Sequence, residues 1–154
     1  MTISVYRITN PADADVLTDL AEEFHRKVPS TRYTLAWTVA SLPTAIQRTA
    51  DTFVLAAYDE HRGYLGYLWA QLNAAGELYI FQTMSKTIAA GRALEHELEQ
   101  ISARFGVQSW NALVPLRPGD LAVVFGQIPW VHALCETHKF FPEFLWITRK
   151  VKRH

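Results

Sequence analysis

Apolar positions along the chain recur in two rhythms, and the changes from one to the other divide it into elements. Ile3 to Ile8 (ISVYRI) alternates as a strand does. Thr9-Asn10-Pro11 supplies helix-start chemistry, with the acids Asp13 and Asp15 in the first turn. Val16, Leu17, Leu20, Ala21 and Phe24 then recur at helical spacing to about His25. Pro29 and Ser30 interrupt that pattern, and Leu35 to Ala50 reads as a second helical region that Pro43 can break. Phe53 to Tyr58 (FVLAAY) has the composition of a buried strand, Asp59 to Gly63 that of a turn, and Tyr64 to Leu72 that of an antiparallel return.

Asn73-Ala74-Ala75-Gly76 turns the chain once more, into a strand from Glu77 to Met84 (ELYIFQTM). A helix follows from about Thr87 to Phe105, with Leu94, Leu98, Ile101 and Phe105 on one face and Gly106 as its stop. Gln108 to Val114 is the next strand, ended by Pro115. Leu116 to Gly126 reads either as a short strand or as a helical turn after Pro118-Gly119. Pro129 to His138 predicts a short helix and Glu143 to Val151 a final strand. The order is β-α-α-β-β-β-α-β-α-β, a mixed α/β (α+β) arrangement with a mostly antiparallel sheet flanked by helices. No repeat, low-complexity tract or linker divides it, so a single domain over residues 1–154 is expected.

Composition narrows the function classes. The 154 residues are 49% hydrophobic and 12% aromatic, enough for a substantial core without covalent staples. Fifteen basic residues balance fifteen acidic ones, which gives no general attraction to nucleic acid or membrane. Arg149 to His154 (RKVKRH) is a local basic tail, ordinarily a solvated terminus. The one cysteine, Cys135, rules out an internal disulfide framework. No basic-then-apolar leader opens the sequence and no run approaches the roughly 18 apolar residues of a membrane span. A soluble cytoplasmic protein is expected. No Cys, His and Asp set has metal-ligand spacing, so no metal is expected.

The candidate chemistry gathers where the Glu77–Met84 strand breaks into Ser85 to Gly91 (SKTIAAG) before the helix. A strand that passes through small residues into a helix N-terminus exposes backbone N–H groups, and the partial positive charge there favours a phosphate. Any α/β protein can contain such a connection, so the motif alone does not select a ligand.

The order of elements, with this break at its centre, resembles the GNAT (GCN5-related N-acetyltransferase) superfamily. Lys86-Thr87-Ile88-Ala89-Ala90-Gly91 is similar to its Arg/Gln-x-x-Gly-x-Gly/Ala segment, with Lys86 in the basic position, Ala89 in place of the first glycine and Gly91 as the second. Leu134-Cys135-Glu136-Thr137-His138-Lys139-Phe140 resembles the family's Leu-Tyr-Glu-x-x-Gly-Phe, with Cys135 for tyrosine and Lys139 for glycine. Tyr6 to Lys27 looks like the family's first strand and helix, as in small acetyltransferase-like proteins of bacteria and their phages.

The resemblance implies acetyl-CoA as co-substrate and transfer to a primary amine. Backbone N–H groups of Ile88, Ala89, Ala90, Gly91 and Arg92 would hold the pyrophosphate, with Lys86 or Arg92 adding charge. The pantetheine amides would pair with the strand edge, and an N–H near Phe81, Gln82 or Thr83 would stabilise the oxyanion. Cys135 stands where the family's proton-donating tyrosine stands, although a small buried filler is its ordinary reading. Candidate bases are Glu77, Glu23 and His25. Trp110 and Trp130 border the expected cleft, while core packing is the default for the strand aromatics. The resemblance leaves open which primary amine accepts the acetyl group, a lysine or an N-terminus of a protein among the candidates, and the last strand can pair in a homodimer. The alternative with the same fold is a catalytically silent binding or inhibitory module, phage-encoded and aimed at a host protein. A third is an unrelated α+β protein in which the strands beside residues 78–84 and 109–114 do not splay.

Overall fold

The computed structural model describes residues 2–27, 33–114, 137–141 and 144–151. Strand β1 (Ile3–Arg7) leads to a cap in which the Asn10 side chain accepts the Ala12 N–H at 3.0 Å, with Pro11 opening a single 3-10 turn. Helix α1 (Ala14–Lys27) follows and buries Leu17, Leu20, Ala21 and Phe24 of the stripe that the spacing predicts, while Val16 at its start is exposed. Helix α2 (Tyr33–Gln47) runs through Pro43 without ending there. Strands β2 (Thr52–Asp59), β3 (Gly63–Leu72) and β4 (Glu77–Ser85) form the antiparallel meander expected from the turns between them. Helix α3 (Ile88–Phe105) then buries Leu94, Leu98 and Ile101, and Gly106 ends it in the left-handed region at φ 66°. Strands β5 (Ser109–Val114), β6 (Thr137–Phe141) and β7 (Phe144–Lys150) complete the described elements.

The strands form one sheet in the order β1-β2-β3-β4-β5-β7-β6, antiparallel at every step except β4 to β5. This is the expected mixed, mostly antiparallel architecture. Nearly every residue of β2 is buried, so helices must cover both faces of the sheet centre. Parity in the ladder assigns them. Trp110 of β5 donates its indole N–H to Ser102 of α3 at 2.8 Å and sits in register with Leu78, which puts α3 on the Leu78 and Ile80 face. Phe53 meets Phe105 edge-on at 5.5 Å, on that same side. Helix α1 packs on β3 and β4 and contacts α2, covering the other face.

One expectation changes. The short helix over Pro129 to His138 is not found at its end: Thr137 and His138 open strand β6, whose register with β7 runs from Thr137–Thr148 to Phe141–Phe144. The β-branched and aromatic content of Thr137 to Phe141 fits a paired strand, and pairing is a non-local interaction that local helical spacing does not report. Lys139 accordingly lies inside a strand, in register with Trp146. Residues 116–126 and the remainder of that expected helix lie outside the described residues. Among the described residues no helix is long and apolar enough to cross a membrane.

Candidate active site

The site begins as a parting of strands. β4 and β5 pair only from Glu77–Ser109 to Ile80–Ala112, whereas β5 continues to Val114 against β7. At the point of parting β4 carries a bulge. Trp69 of β3 faces Gln82 and Ala70 faces Ile80, so Phe81 is the extra residue and is left out of the ladder. From Phe81 to Ser85 no residue of β5 stands in register with β4, and a strand that parts from its neighbour is the kind of edge to which an amide-bearing ligand can add. The chain thus forms a fork, closed at Glu77 and open at Ser85.

At the open end stands the N-terminus of α3. Thr87 caps it, and its Oγ1 accepts the Ala90 N–H at 3.1 Å while its carbonyl accepts the Gly91 N–H at 3.2 Å. The expected five-amide cradle over Ile88 to Arg92 is therefore smaller, because a capping threonine and the first helical bond occupy the third and fourth amides. Among the described residues the N–H groups of Ile88 and Ala89 meet no acceptor. Ala90 and Gly91 are buried against the sheet, whereas Ile88, Ala89 and Arg92 are exposed. Small size at Ala89 leaves the first turn open to a phosphate.

Lys86, the expected phosphate partner, is held by Glu23 of α1, Nζ to Oε2 at 3.0 Å, with both side chains about one-third exposed. The structure joins two residues singled out separately as a coenzyme contact and a base. The pair ties α1 to the connection between β4 and α3.

Glu77 stands at the closed end, four residues before the bulge. Its Oε2 accepts the Ser109 hydroxyl at 3.0 Å and the Asn111 amide at 3.1 Å, and its backbone N–H bonds Asn73 Oδ1 at 3.0 Å. These contacts clamp β4 to β5 where the two still pair. His25 is on α1 near its C-terminal end. Cys135 and Trp130 lie outside the described residues. Trp110 is 1% exposed and belongs to the core, not to a cleft wall.

Gln82 follows the bulge, half-buried, and its Oε1 accepts the Tyr67 hydroxyl at 2.7 Å. Burial pushes the Tyr67 phenol well above its ordinary value of 10.0, so it stays protonated and donates. Phe81 is ringed by Trp69 at 5.2 Å and Tyr79 at 4.8 Å, which fixes the bulge from one face. Among the described residues no group of three or more His, Cys, Asp or Glu is placed to hold a metal ion.

Sequence reasoning missed Tyr67, read only as core, and the capping role of Thr87. A threonine directly before a run of small helical residues is a signal that could have found the cap. The bond from Tyr67 to Gln82 crosses between strands, with no local mark in the sequence.

No protein-family model matches the sequence, and no curated protein matches it. Solved structures do match the fold. A GNAT-family structure from Desulfovibrio desulfuricans aligns over 98% of this chain and 99% of its own, at 13% identity and a TM-score of 0.73. An acetyltransferase of the GNAT family from Staphylococcus aureus Mu50 aligns over 98% and 100%, at 6% identity and a TM-score of 0.70. A Salmonella typhimurium structure holding acetyl-CoA as its cofactor aligns over 100% and 96%, at 14% identity and a TM-score of 0.59.

Proposed function

Because the chain has the fold of the GNAT acetyltransferases, we propose that it is an acetyl-CoA-dependent N-acetyltransferase acting on a primary amine. The observation that carries this reading is the parting of β4 from β5 after Ile80 and Ala112, with a bulge at Phe81. An open strand edge suits an extended arm with two amides, and a helix N-terminus at the end of that edge suits its pyrophosphate. The residues present fit such a ligand: Ala89 is small and exposed, and Arg92 is exposed one turn further on.

Transfer forms a C–N bond and breaks a C–S bond, while one proton leaves the amine nitrogen and one returns to the coenzyme sulfur. In this chain the first two amides of α3 and Arg92 bind phosphate, and backbone N–H groups along Phe81 to Thr83 hold the amides and the developing oxyanion. His25 is assigned as the base and Cys135 as the acid that protonates the departing thiolate. Glu77, engaged by Ser109 and Asn111, is assigned to hold the closed end of the fork.

Isothermal titration with acetyl-CoA tests the reading. Micromolar binding supports it, and no binding at millimolar coenzyme removes it. In that event the second reading, a silent binding module of the same fold, takes its place. It draws on the Thr87 cap and the Lys86–Glu23 pair, which consume part of what a phosphate would use.

A further inference from the structure

The bulge of β4 is pinned from both sides, by a different contact on each. Phe81 and Gln82 together oppose Trp69, so both side chains lie on the face opposite α3. Were the bulge one residue earlier, Phe81 would share the place opposite Ala70 and turn toward α3. Its ring instead lies 5.2 Å from Trp69 and 4.8 Å from Tyr79, which hold it on their own face. Were the bulge one residue later, Gln82 would oppose Leu68 and turn toward α3 in its place. Tyr67 forbids that move. It stands two residues from Trp69 and so on the same face, and its O–H donates to Gln82 Oε1 at 2.7 Å. Tyr67 is 2% exposed, and its hydroxyl meets no other acceptor among the described residues. A later bulge would strand a buried O–H, an arrangement that folded proteins avoid.

We infer that Tyr67 is a positioning residue for acyl transfer: through Gln82 it fixes the β4 bulge at Phe81, and with it the backbone N–H groups that polarise the thioester carbonyl. The inference rests on the transferase reading above and adds a residue to its site. Successive N–H groups along a strand point to alternate edges. A bulge moved by one residue therefore changes which N–H of Phe81 to Thr83 is directed at β3 and which at the fork. A donor to a developing oxyanion acts only from about 2.7–3.1 Å, and a misplacement of about 1 Å costs on the order of a hundredfold in rate. The buried hydroxyl of a neighbouring strand thus governs a bond that it does not itself make.

The test reads the coenzyme itself and needs no acceptor. Acetyl-CoA labelled with carbon-13 at the thioester carbonyl is titrated into the protein, by calorimetry for affinity and by carbon-13 NMR for the carbonyl. A hydrogen bond to that oxygen draws electron density from the carbon and moves its resonance downfield. We expect a downfield shift on binding to the parent. Tyr67→Phe, which keeps the ring in the core, should lose most of that shift while Kd changes little, because the phosphate contacts lie at the N-terminus of α3. Gln82→Glu keeps an acceptor for Tyr67 and should keep the shift. Gln82→Met removes the acceptor, and adding Tyr67→Phe to it should cause no further loss, the mark of one shared interaction. A merely structural pair would lower stability and leave the bound carbonyl where it was. An unchanged shift in Tyr67→Phe, losses that add in the double variant, or a parent that binds without a downfield shift would each overturn the inference and spare coenzyme binding. A parent that binds no acetyl-CoA would overturn the inference and the transferase reading together.

Discussion

Gly66 of β3 and Ser85 of β4 meet more closely than any side chain at position 66 permits. A Cβ added to Gly66 would lie 2.5 Å from the Met84 carbonyl oxygen and 2.9 Å from the Ser85 Cα. Both are backbone atoms, so relief requires the strands to separate. They meet where β4 passes into the connection to α3, and the Lys86 N–H bonds the Leu65 carbonyl at 2.7 Å just beyond. Gly66→Ala is expected to destabilise the fold by about 1–3 kcal/mol, as overpacking against a rigid neighbour does. Urea unfolding followed by circular dichroism measures it, and an unchanged midpoint would contradict the close approach.

Ala89 separates coenzyme binding from stability. It is exposed on the first turn of α3, beside amides that meet no acceptor among the described residues. A carboxylate there interacts favourably with the helix N-terminus, by about 0.3–1 kcal/mol, yet repels a pyrophosphate and competes for the same N–H groups. Ala89→Glu should therefore keep or raise the melting temperature while weakening acetyl-CoA binding by at least about tenfold. A variant that binds as tightly as the parent would place the phosphate elsewhere.

The Lys86–Glu23 pair is a contest between α1 and the ligand. At 3.0 Å and about one-third exposure it adds little to stability, about 0–1 kcal/mol. Glu23→Gln releases the ammonium for phosphate, so acetyl-CoA affinity should rise by up to about fivefold with little change in melting temperature. Lys86→Ala should lower affinity by several-fold. Calorimetry at two ionic strengths reads both, and the gain in Glu23→Gln should shrink as salt screens the charges.

Much of this fold was legible because its elements carry local marks. Asn10 and Pro11 open the first helix, Gly106 ends the third, and the runs from Phe53 and Tyr64 read as a hairpin around Asp59 to Gly63. The break at Ser85 to Gly91 pointed to the helix N-terminus where the fork opens. What was hidden is long-range. The strand at Thr137 gains its identity from pairing with Phe144 to Lys150, and no helical or alternating period announces that. The ion pair of Lys86 with Glu23 joins residues 63 positions apart by number. Phe81 is a bulge because Trp69 and Ala70 face Gln82 and Ile80, a count that exists only once two strands are aligned. Side-chain types name candidate roles, but register decides which of them share a face.

Glu77 tests whether the closed end of the fork is structural or catalytic. A lost general base lowers turnover by about 10²–10⁴, whereas a lost clamp lowers stability. With Oε2 accepting from Ser109 and Asn111, Glu77→Ala removes the shared acceptor of both bonds and should destabilise by about 1–3 kcal/mol. Glu77→Gln keeps an acceptor oxygen and should turn over a primary-amine acceptor within a few-fold of the parent. A drop of a hundredfold in Glu77→Gln at unchanged stability would return the residue to the chemistry.

The turn joining β2 to β3 holds a carboxylate whose ionised form the fold favours. Asp59 is 1% exposed, and its Oδ1 accepts the N–H groups of His61 at 2.8 Å and Arg62 at 3.1 Å. Those bonds, the His61 one foremost, hold its carboxyl below the ordinary 3.8 despite burial, with the Arg62 guanidinium 3.8 Å from Oδ2 adding to them. A carboxyl with a lowered folded pKa binds fewer protons folded than unfolded, so its contribution is complete above 3.8 and is lost as pH falls through the folded value. Asp59→Asn removes that dependence. Urea midpoints of parent and variant should lie farthest apart at neutral pH, with the parent more stable, and converge as pH drops below 3.8. A gap that stays constant down the acid limb would show that the turn needs the shape of the side chain and not its charge.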